Sequence, residues 1–371
     1  MSQPYAHQTD DWPNYRWNGE ALAAELASLN FRRGRLVSAM ANLGFELRQE
    51  TSLRVLVQDV TKSSEIEGEL LDAAQVRSSI ARKLGMDFAG LPTPERRVDG
   101  VVEMMLDATR RYSVTLDENR ILGWHAALFP TGWSGLSKIQ VGSWRTDEDG
   151  PMQVVSGPLG KERVHFEAPA AHRVPHEIAR FLNWFETEQM DPVLKAGLAH
   201  LWFVTIHPLD DGNGRVGRAI MDMALARADG SEQRFYSMSA QIQADKNAYY
   251  DILEKTQKSS MDVTHWLHWF LAKLDRAITA AEGVLETVRR KQEFWDTHRD
   301  SSLNERQTKI VNMLIEGFDG KLQSAKYGKI AKCSHDTALR DLADLVSKGI
   351  LGAEGAARAT HYFLNVKFRS S

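Results

Sequence analysis

The chain has a single cysteine, Cys333, in 371 residues. No internal disulfide framework can form, and a sole thiol fits a reducing compartment. Long apolar runs are missing too: none reaches the roughly 20 residues of a membrane helix. The stretch from Met1 to Trp17 is polar and aromatic, without the apolar region of a secretory signal. Nor is there charge of one sign, since 46 Lys/Arg against 49 Asp/Glu leave −3 and no global field that would gather nucleic acid. No Gly-x4-Gly-Lys-Ser/Thr string exists, which excludes a P-loop enzyme. His172 and His176 stand four apart, but Pro175 interrupts them and no acid has zinc-site spacing. These absences predict a cytoplasmic protein without a membrane span. With 43% hydrophobic residues the chain has enough apolar material for two or three domains.

What is present is mostly helical pattern. An aromatic arm, Trp12-Pro13-Asn14-Tyr15-Arg16-Trp17, precedes helices predicted at Glu20–Met40, from about Gln49, and at Ala73–Leu84 with Asp72 as cap. The arm is expected to pack onto a domain. A loop with Gly90, Pro92 and Pro94 follows, then helices at Val98–Tyr112 and Asp117–Phe129. The runs Met152–Val155 and Arg163–Phe166 flank Ser156-Gly157-Pro158-Leu159-Gly160 and read as a β-hairpin. Its edge is either a docking strand for a partner peptide or a plain connector. Helices resume at Pro175–Glu188, Val193–Ile206, Gln243–Lys258 and Val263–Trp295.

The densest chemistry lies in His207-Pro208-Leu209-Asp210-Asp211-Gly212-Asn213-Gly214-Arg215-Val216-Gly217-Arg218. An apolar helix precedes this string and another helix follows it. Glycines permit a sharp turn and close approach of backbone to ligand. Amides at the start of the second helix attract anions, above all phosphate. Arg215 and Arg218, three apart, are expected to face one anion. An acid beside a phosphate cradle suits Mg²⁺, and a histidine at the rim suits proton abstraction from a hydroxyl. The bland alternative, a surface turn with a helix cap, leaves the histidine, the acid and both arginines unexplained.

A second site candidate comes from periodicity. The stripe Leu53, Leu56, Val57, Val60 extends by helical steps to Ser63, Ser64 and Glu67. Glu67 therefore falls on a buried face at a helix end marked by Gly68, where a carboxylate requires a cationic partner. Glu65 or Glu69 is read as a solvated acid where the helix frays.

Residues 303 to 367 read as helix, helix-turn-helix and hairpin, the winged-helix layout. Residues 301–371 hold eleven Lys/Arg against seven Asp/Glu, a surplus of +4. Asp336, Asp341 and Asp344 on the would-be reading helix oppose DNA contact, so a protein-interaction role competes with a DNA-binding one.

The string from His207 to Arg218 resembles the Fic family signature, His-Pro-Phe-x-Asp/Glu-Gly-Asn-Gly-Arg-x-x-Arg. Leu209 departs from it where the family has Phe, and a packing adjustment is expected there. Ser63-Ser64-Glu65-Ile66-Glu67-Gly68 resembles the family's inhibitory motif, Ser/Thr-x-x-x-Glu-Gly/Asn. The resemblance implies a mainly α fold: a helical core with a β-hairpin flap, an N-terminal helical region and a C-terminal winged helix. The implied domains are 1–97 with the inhibitory helix, 98–296 as catalytic core, and 301–371.

The resemblance also implies an activity, transfer of AMP from ATP to a Ser, Thr or Tyr hydroxyl of a target protein. His207 would be the base and Asp211 the Mg²⁺ holder. Gly212, Asn213 and Gly214 would form the cradle, continued by Val216 and Gly217. Arg215 would bind the β-phosphate side and Arg218 the γ-phosphate. Tyr249 and Tyr250 would lie near the nucleotide, and the hairpin at 152–166 would dock the target. Glu67, with Ser63, would hold Arg218 and inhibit. Removal of AMP, transfer of another nucleotide, or DNA regulation through 301–371 are the competing functions. A homodimer is a further expectation, since dimers are common in the family.

Overall fold

The computed structural model describes residues 4–86, 92–148, 150–158, 161, 163–258, 260–318, 320–356 and 360–365. Gly90, Leu159, Gly160 and part of the glycine- and alanine-rich turn before His361 lie outside the described residues. The described chain is mainly α-helical, with fourteen helices and three two-stranded hairpins. It divides into two compact units, Met1–Ala281 and Glu282–Ser371. No helix among the described residues is long and apolar enough to cross a membrane.

In the larger unit, α1 (Gly19–Ala41) is capped by Asn18 and α2 (Phe45–Ile66) follows it. Helix α3 (Ala73–Lys83) starts on Asp72, whose carboxylate accepts from the Ala74 amide at 2.9 Å. Helices α4 (Arg96–Arg110) and α5 (Glu118–Leu128) come next. They touch so closely that a Cβ on Gly100 would meet the Ala127 carbonyl oxygen at 1.7 Å.

Two hairpins follow, β1 (Trp133–Ser134) with β2 (Ser137–Lys138), and β3 (Gln153–Ser156) with β4 (Arg163–Glu167). The chain then continues through α6 (Val174–Thr187), α7 (Pro192–Ile206) and α8 (Asn213–Asp229). Helix α7 is apolar all round and buried almost throughout, as a central helix must be. Gly217 on α8 lets α7 approach: a Cβ there would meet Val204 Cγ1 at 2.8 Å.

The helix expected over Gln243–Lys258 is broken into α9 (Met238–Ala244) and α10 (Lys246–Gln257). Asp245 leaves helical geometry at φ −138°. Its carboxylate takes Lys273 Nζ at 2.7 Å, while its carbonyl starts the next helix by accepting from Tyr249. Helix α11 (Thr264–Thr297) carries the chain into the smaller unit.

The aromatic arm packs, as expected. Trp12 Nε1 donates to Glu177 at 2.9 Å, and the rings of Trp12 and Tyr15 meet Trp202 edge-on. Helix α2 packs on α9 and reaches α8 through a polar layer. Asp59 accepts from Ser237, and one helical step along α8 from Arg218 the buried Asp222 pairs with Arg234 at 2.9 Å. Burial, together with the charge of Asp222, holds the Asp59 carboxyl well above the usual range.

The smaller unit builds its core from Ile310, Val311, Tyr327, Leu342, Leu345 and Ile350 among others. Its elements are α12 (Glu305–Ile315), α13 (Ser324–Ala331), α14 (His335–Ser347) and the hairpin β5 (Leu351–Glu354) with β6 (His361–Leu364). Of the acids expected to face outward on α14, only Asp341 turns inward; Asp336 stays exposed and the Asp344 side chain is 41% exposed. Asp341 is bonded by Arg306, Asn304 and Tyr327, and Asp344 by Gln307 and Lys348. They serve as anchors for α12 and for the end of α14.

Candidate active site

Helix α7 ends at His207, a non-glycine residue with left-handed backbone, φ 50° and ψ 57°. A branch-free β-carbon tolerates this at modest strain, and such strain persists only where surroundings enforce it. Arg145 enforces it. Its fully buried side chain donates from Nε to the His207 carbonyl at 2.7 Å and from Nη2 to the Pro169 carbonyl. Its backbone amide donates to the Pro208 carbonyl at 3.0 Å. Nothing in the sequence marks Arg145, which lies 62 residues before the loop it holds.

His207 Nδ1 lies 3.2 Å from the Val204 carbonyl. A carbonyl only accepts, so the proton sits on Nδ1 and Nε2 keeps its lone pair. Burial pushes the imidazole pKa down to about 4, against the raising effect of that carbonyl. At neutral pH the ring is an uncharged base.

The loop after His207 is shaped by its own asparagine. Asn213 receives the Leu209 amide at 2.9 Å and donates to the Leu209 carbonyl at 2.7 Å. Its side chain is therefore spent on the turn and not on a ligand. Leu209 itself is fully buried. Gly212 has φ +82°, and a Cβ on it would press on Phe129 at 3.0 Å. Helix α8 starts directly after, so the amides of its first turn have no intrahelical acceptor. Asp211 accepts from Ser134 and, at 2.5 Å, from the Gly212 amide; Asp210 accepts from the Gln140 amide at 2.8 Å.

These groups open onto a cavity of about 600 Å³. Glu67, His207, Asp211, Gly212, Asn213 and Gly214 line it, with the hairpin β3–β4 and the α10 face carrying Tyr249 and Tyr250. Tyr249 is nearly buried and bonds His200 Nε2 at 2.9 Å; Tyr250 reaches the Ile66 carbonyl at 3.4 Å. Burial raises the pKa of both phenols, that of Tyr250 to about 12. Val216 and Gly217 lie away from the cavity: Val216 is core, and Gly217 faces Val204 and His200 on α7.

The two arginines do not share one anion. Arg218, fully buried, donates from Nε to Ser63 Oγ at 2.9 Å and from Nη2 to the Ser63 carbonyl at 2.8 Å. The same Nη2 meets Glu67 Oε1 at 2.8 Å. Gly214 is required for that approach, since a Cβ there would stand 2.1 Å from Glu67 Oε1. Arg215 turns instead to Glu69 at 2.8 Å, with its guanidinium 4.9 Å from the Phe129 ring centroid. Glu69 is thus paired, not the solvated acid the sequence suggested. Glu65 is also engaged, by Lys62 and by Gln243. A long-range partner leaves no mark in helical periodicity.

The hairpin is tied to α10. His165 bridges Ser156 Oγ and Glu254, each at 2.6 Å, while Arg163 and Lys258 also reach Glu254. This tether was invisible in the sequence.

Comparison with known proteins bears on this arrangement. Residues 115–225 match the Fic/DOC family, and residues 5–86 match a domain of unknown function, DUF4172. The chain contains a Fic/DOC segment. The Fic segment thus runs from the start of α5 into α8 and contains the whole loop from His207 to Arg218. A protein adenylyltransferase Fic of Culex quinquefasciatus is 26% identical over 210 residues, 53% of this chain and 36% of that protein. Protein adenylyltransferase fic-1 of Caenorhabditis briggsae is 24% identical over 232 residues, 57% of this chain and 42% of the relative. The chain therefore spans well under half the length of these relatives. A Fic family protein from Desulfovibrio desulfuricans G20 has a similar fold, with TM-score 0.50 and 22% identity over 93% of this chain and 97% of that one. A Fic domain containing signaling protein from Bacteroides thetaiotaomicron covers 70% of this chain and 97% of its own at TM-score 0.50 and 18% identity.

Proposed function

We propose that this protein transfers AMP from ATP to a hydroxyl of a target protein and that it is held inactive by Glu67. The observation that carries the reading is the contact of the buried Arg218 with Glu67, which lines the same cavity as an uncharged His207. The names of the relatives, protein adenylyltransferases, supply the reaction class.

In the productive state the acceptor oxygen attacks the α-phosphorus, its bond to pyrophosphate breaks, and the hydroxyl proton passes to His207 Nε2. The α8 amides beside Gly212, Asn213 and Gly214 cradle the phosphates, with Arg215 and Arg218 on the leaving pyrophosphate. Asp211, a carboxylate on the cavity wall beside that cradle, fits a Mg²⁺ ion, which needs only one or two protein carboxylates when phosphates complete its shell. When bound, the ion would neutralise charge developing on the phosphates. The hairpin β3–β4 presents an edge along which a target segment adds as a strand.

With Glu67 on Arg218 the γ-phosphate lacks its cation, and ATP settles in a pose that misaligns the α-phosphorus. Release of the end of α2 restores the arginine, a population shift between two states. The reading is tested with ATP labelled at the α-phosphate: Glu67→Gly should gain label over the parent, and His207→Ala should abolish it. Release of AMP from a pre-modified target by the parent, lost in Glu67→Gly, would assign the opposite reaction to the same site.

A second reading concerns the smaller unit, taken as a winged helix. The inward turn of Asp341 takes one acid off the surface, and Lys329, Lys332 and Arg340 stand exposed around α13 and α14 with Asp336 as the exposed acid beside them. This favours duplex DNA as a partner. Anisotropy of labelled duplex with the full chain should then show binding that weakens steeply with salt and is lost in a Lys329→Glu, Lys332→Glu variant. No binding at low salt would sink it.

A further inference from the structure

The end of α2 is built in a way that a single inhibitory acid does not require. Gly68, at φ +86°, closes the helix with two bonds: its own amide to the Glu65 carbonyl, and the Glu69 amide to the Ser64 carbonyl, each 3.0 Å. This is a Schellman turn, and its left-handed position calls for glycine. The chain reversal sets one carboxylate on either side of Gly68. Acids at a helix C-terminus are disfavoured by the helix dipole, so two of them there need compensating cations. The cations are present. Glu67 meets Arg218 and Glu69 meets Arg215, both at 2.8 Å, and the two arginines stand one turn apart on α8.

The arginines are otherwise sealed. Their side chains are 3% and 0% exposed. Arg215 Nε and Arg218 Nη1 are buried donors without an acceptor among the described residues. Donors of that kind are costly to leave unmet, and phosphate oxygens would meet them.

We infer that Glu69 is a second gate on the site. It occupies Arg215 as Glu67 occupies Arg218, so the turn Glu67-Gly68-Glu69 fills both cationic positions that a polyphosphate would use. The inference rests on the reading of the cavity as a nucleoside triphosphate site. It adds that freeing Arg218 alone leaves the β-phosphate position contested. Glu69 is 39% exposed, so its pair is screened by solvent and its competition is the weaker of the two.

The test is titration calorimetry of magnesium pyrophosphate, and separately of ATP, on the full-length parent, Glu67→Gly, and Glu67→Gly/Glu69→Gln. The double variant should bind both probes about fivefold more tightly than Glu67→Gly, the low end of the usual range for coupled sites. Its KM for ATP should fall with kcat little changed, because Glu69 competes with ground-state binding. Glu69→Asp, which keeps the charge but shortens the reach, replaces Glu69→Gln if circular dichroism shows the latter unfolded, and should give a smaller gain. Equal affinities in the single and double variants would overturn the second gate while leaving the transferase reading intact. Absence of binding of either probe to every variant would overturn the triphosphate reading itself, and the gate with it.

Discussion

Asn213 gives both ends of its amide to one residue, Leu209, at 2.9 and 2.7 Å. The pair closes the loop that carries Asp210, Asp211 and Gly212. Asn213→Ala strands a buried amide and a buried carbonyl, at a cost of about 1–3 kcal/mol. Thermal denaturation should show a lowered Tm, and nucleotide binding should weaken because the cradle amides lose their aim. An unchanged Tm would mean the loop is held from elsewhere, by Arg145.

Two buried histidines make the fold sensitive to acid. Burial pushes His200 and His207 each down to about 4, from an ordinary 6.5. A base whose folded pKa is depressed leaves the unfolded chain binding more protons between those values. Stability therefore rises with pH across about 4 to 6.5 and is lost as pH falls through that window. Tm should drop on acidification over this range, and His200→Asn should flatten the dependence. In Glu67→Gly, kcat/KM should hold well below pH 6.5 before the acid limb sets in, because His207 stays uncharged there.

The turn at Gly68 predicts a link between strain and activity. No atom stands within 4 Å of a Cβ placed on Gly68, so Gly68→Ala acts through its φ of +86° alone. The left-handed position costs alanine about 1–2 kcal/mol. That strain loosens Glu67 and Glu69 together, so basal labelling from ATP should rise above that of the parent. A stable variant with unchanged labelling would show that the gate does not depend on this turn.

Sequence pattern carried the helices and the loop from His207 to Arg218, because each is a local or periodic feature; it put Glu67 on a buried face, whereas Glu67 caps the helix end partly exposed and only its carboxylate reaches the buried Arg218. The stripe from Leu53 to Val60 needed only helical steps to reach Ser63 and Glu67. Glu69 was misread for the same reason: it lies past the helix end, where periodicity stops, and its partner Arg215 is 146 residues away. Arg145 and Ser134 are likewise joined to the loop only by tertiary contact. On α14, helical spacing alone did not tell that Asp341 meets Arg306 and Tyr327, because those partners come from α12 and α13. The break at Asp245 depends on Lys273 of α11, again outside any local window.

The hairpin tether gives a further expectation. Burial raises the Glu254 pKa, but hydrogen bonds from Lys258 and His165 and their charges outweigh it and hold the carboxyl at about 2. A depressed carboxyl stabilises above its unfolded pKa, near 4.5, and the contribution is lost as pH falls toward 2. Glu254→Gln removes it at neutral pH. Hydrogen exchange over residues 153–167 should quicken, and KM for a protein target should rise with kcat nearly kept. Unchanged exchange would show that the hairpin is held without α10.

The account turns on one carboxylate, Glu67, restraining one arginine, Arg218, in a site whose base is His207. Intact-mass analysis after incubation with ATP and Mg²⁺ reads it directly for the parent, Glu67→Gly and Glu67→Gly/His207→Ala, each mixed with a cell extract in which label is also followed. Glu67→Gly should place AMP on itself or on a target, the parent far less, and the double variant none. Equal transfer by the parent and Glu67→Gly, or transfer that survives loss of His207, would contradict the account.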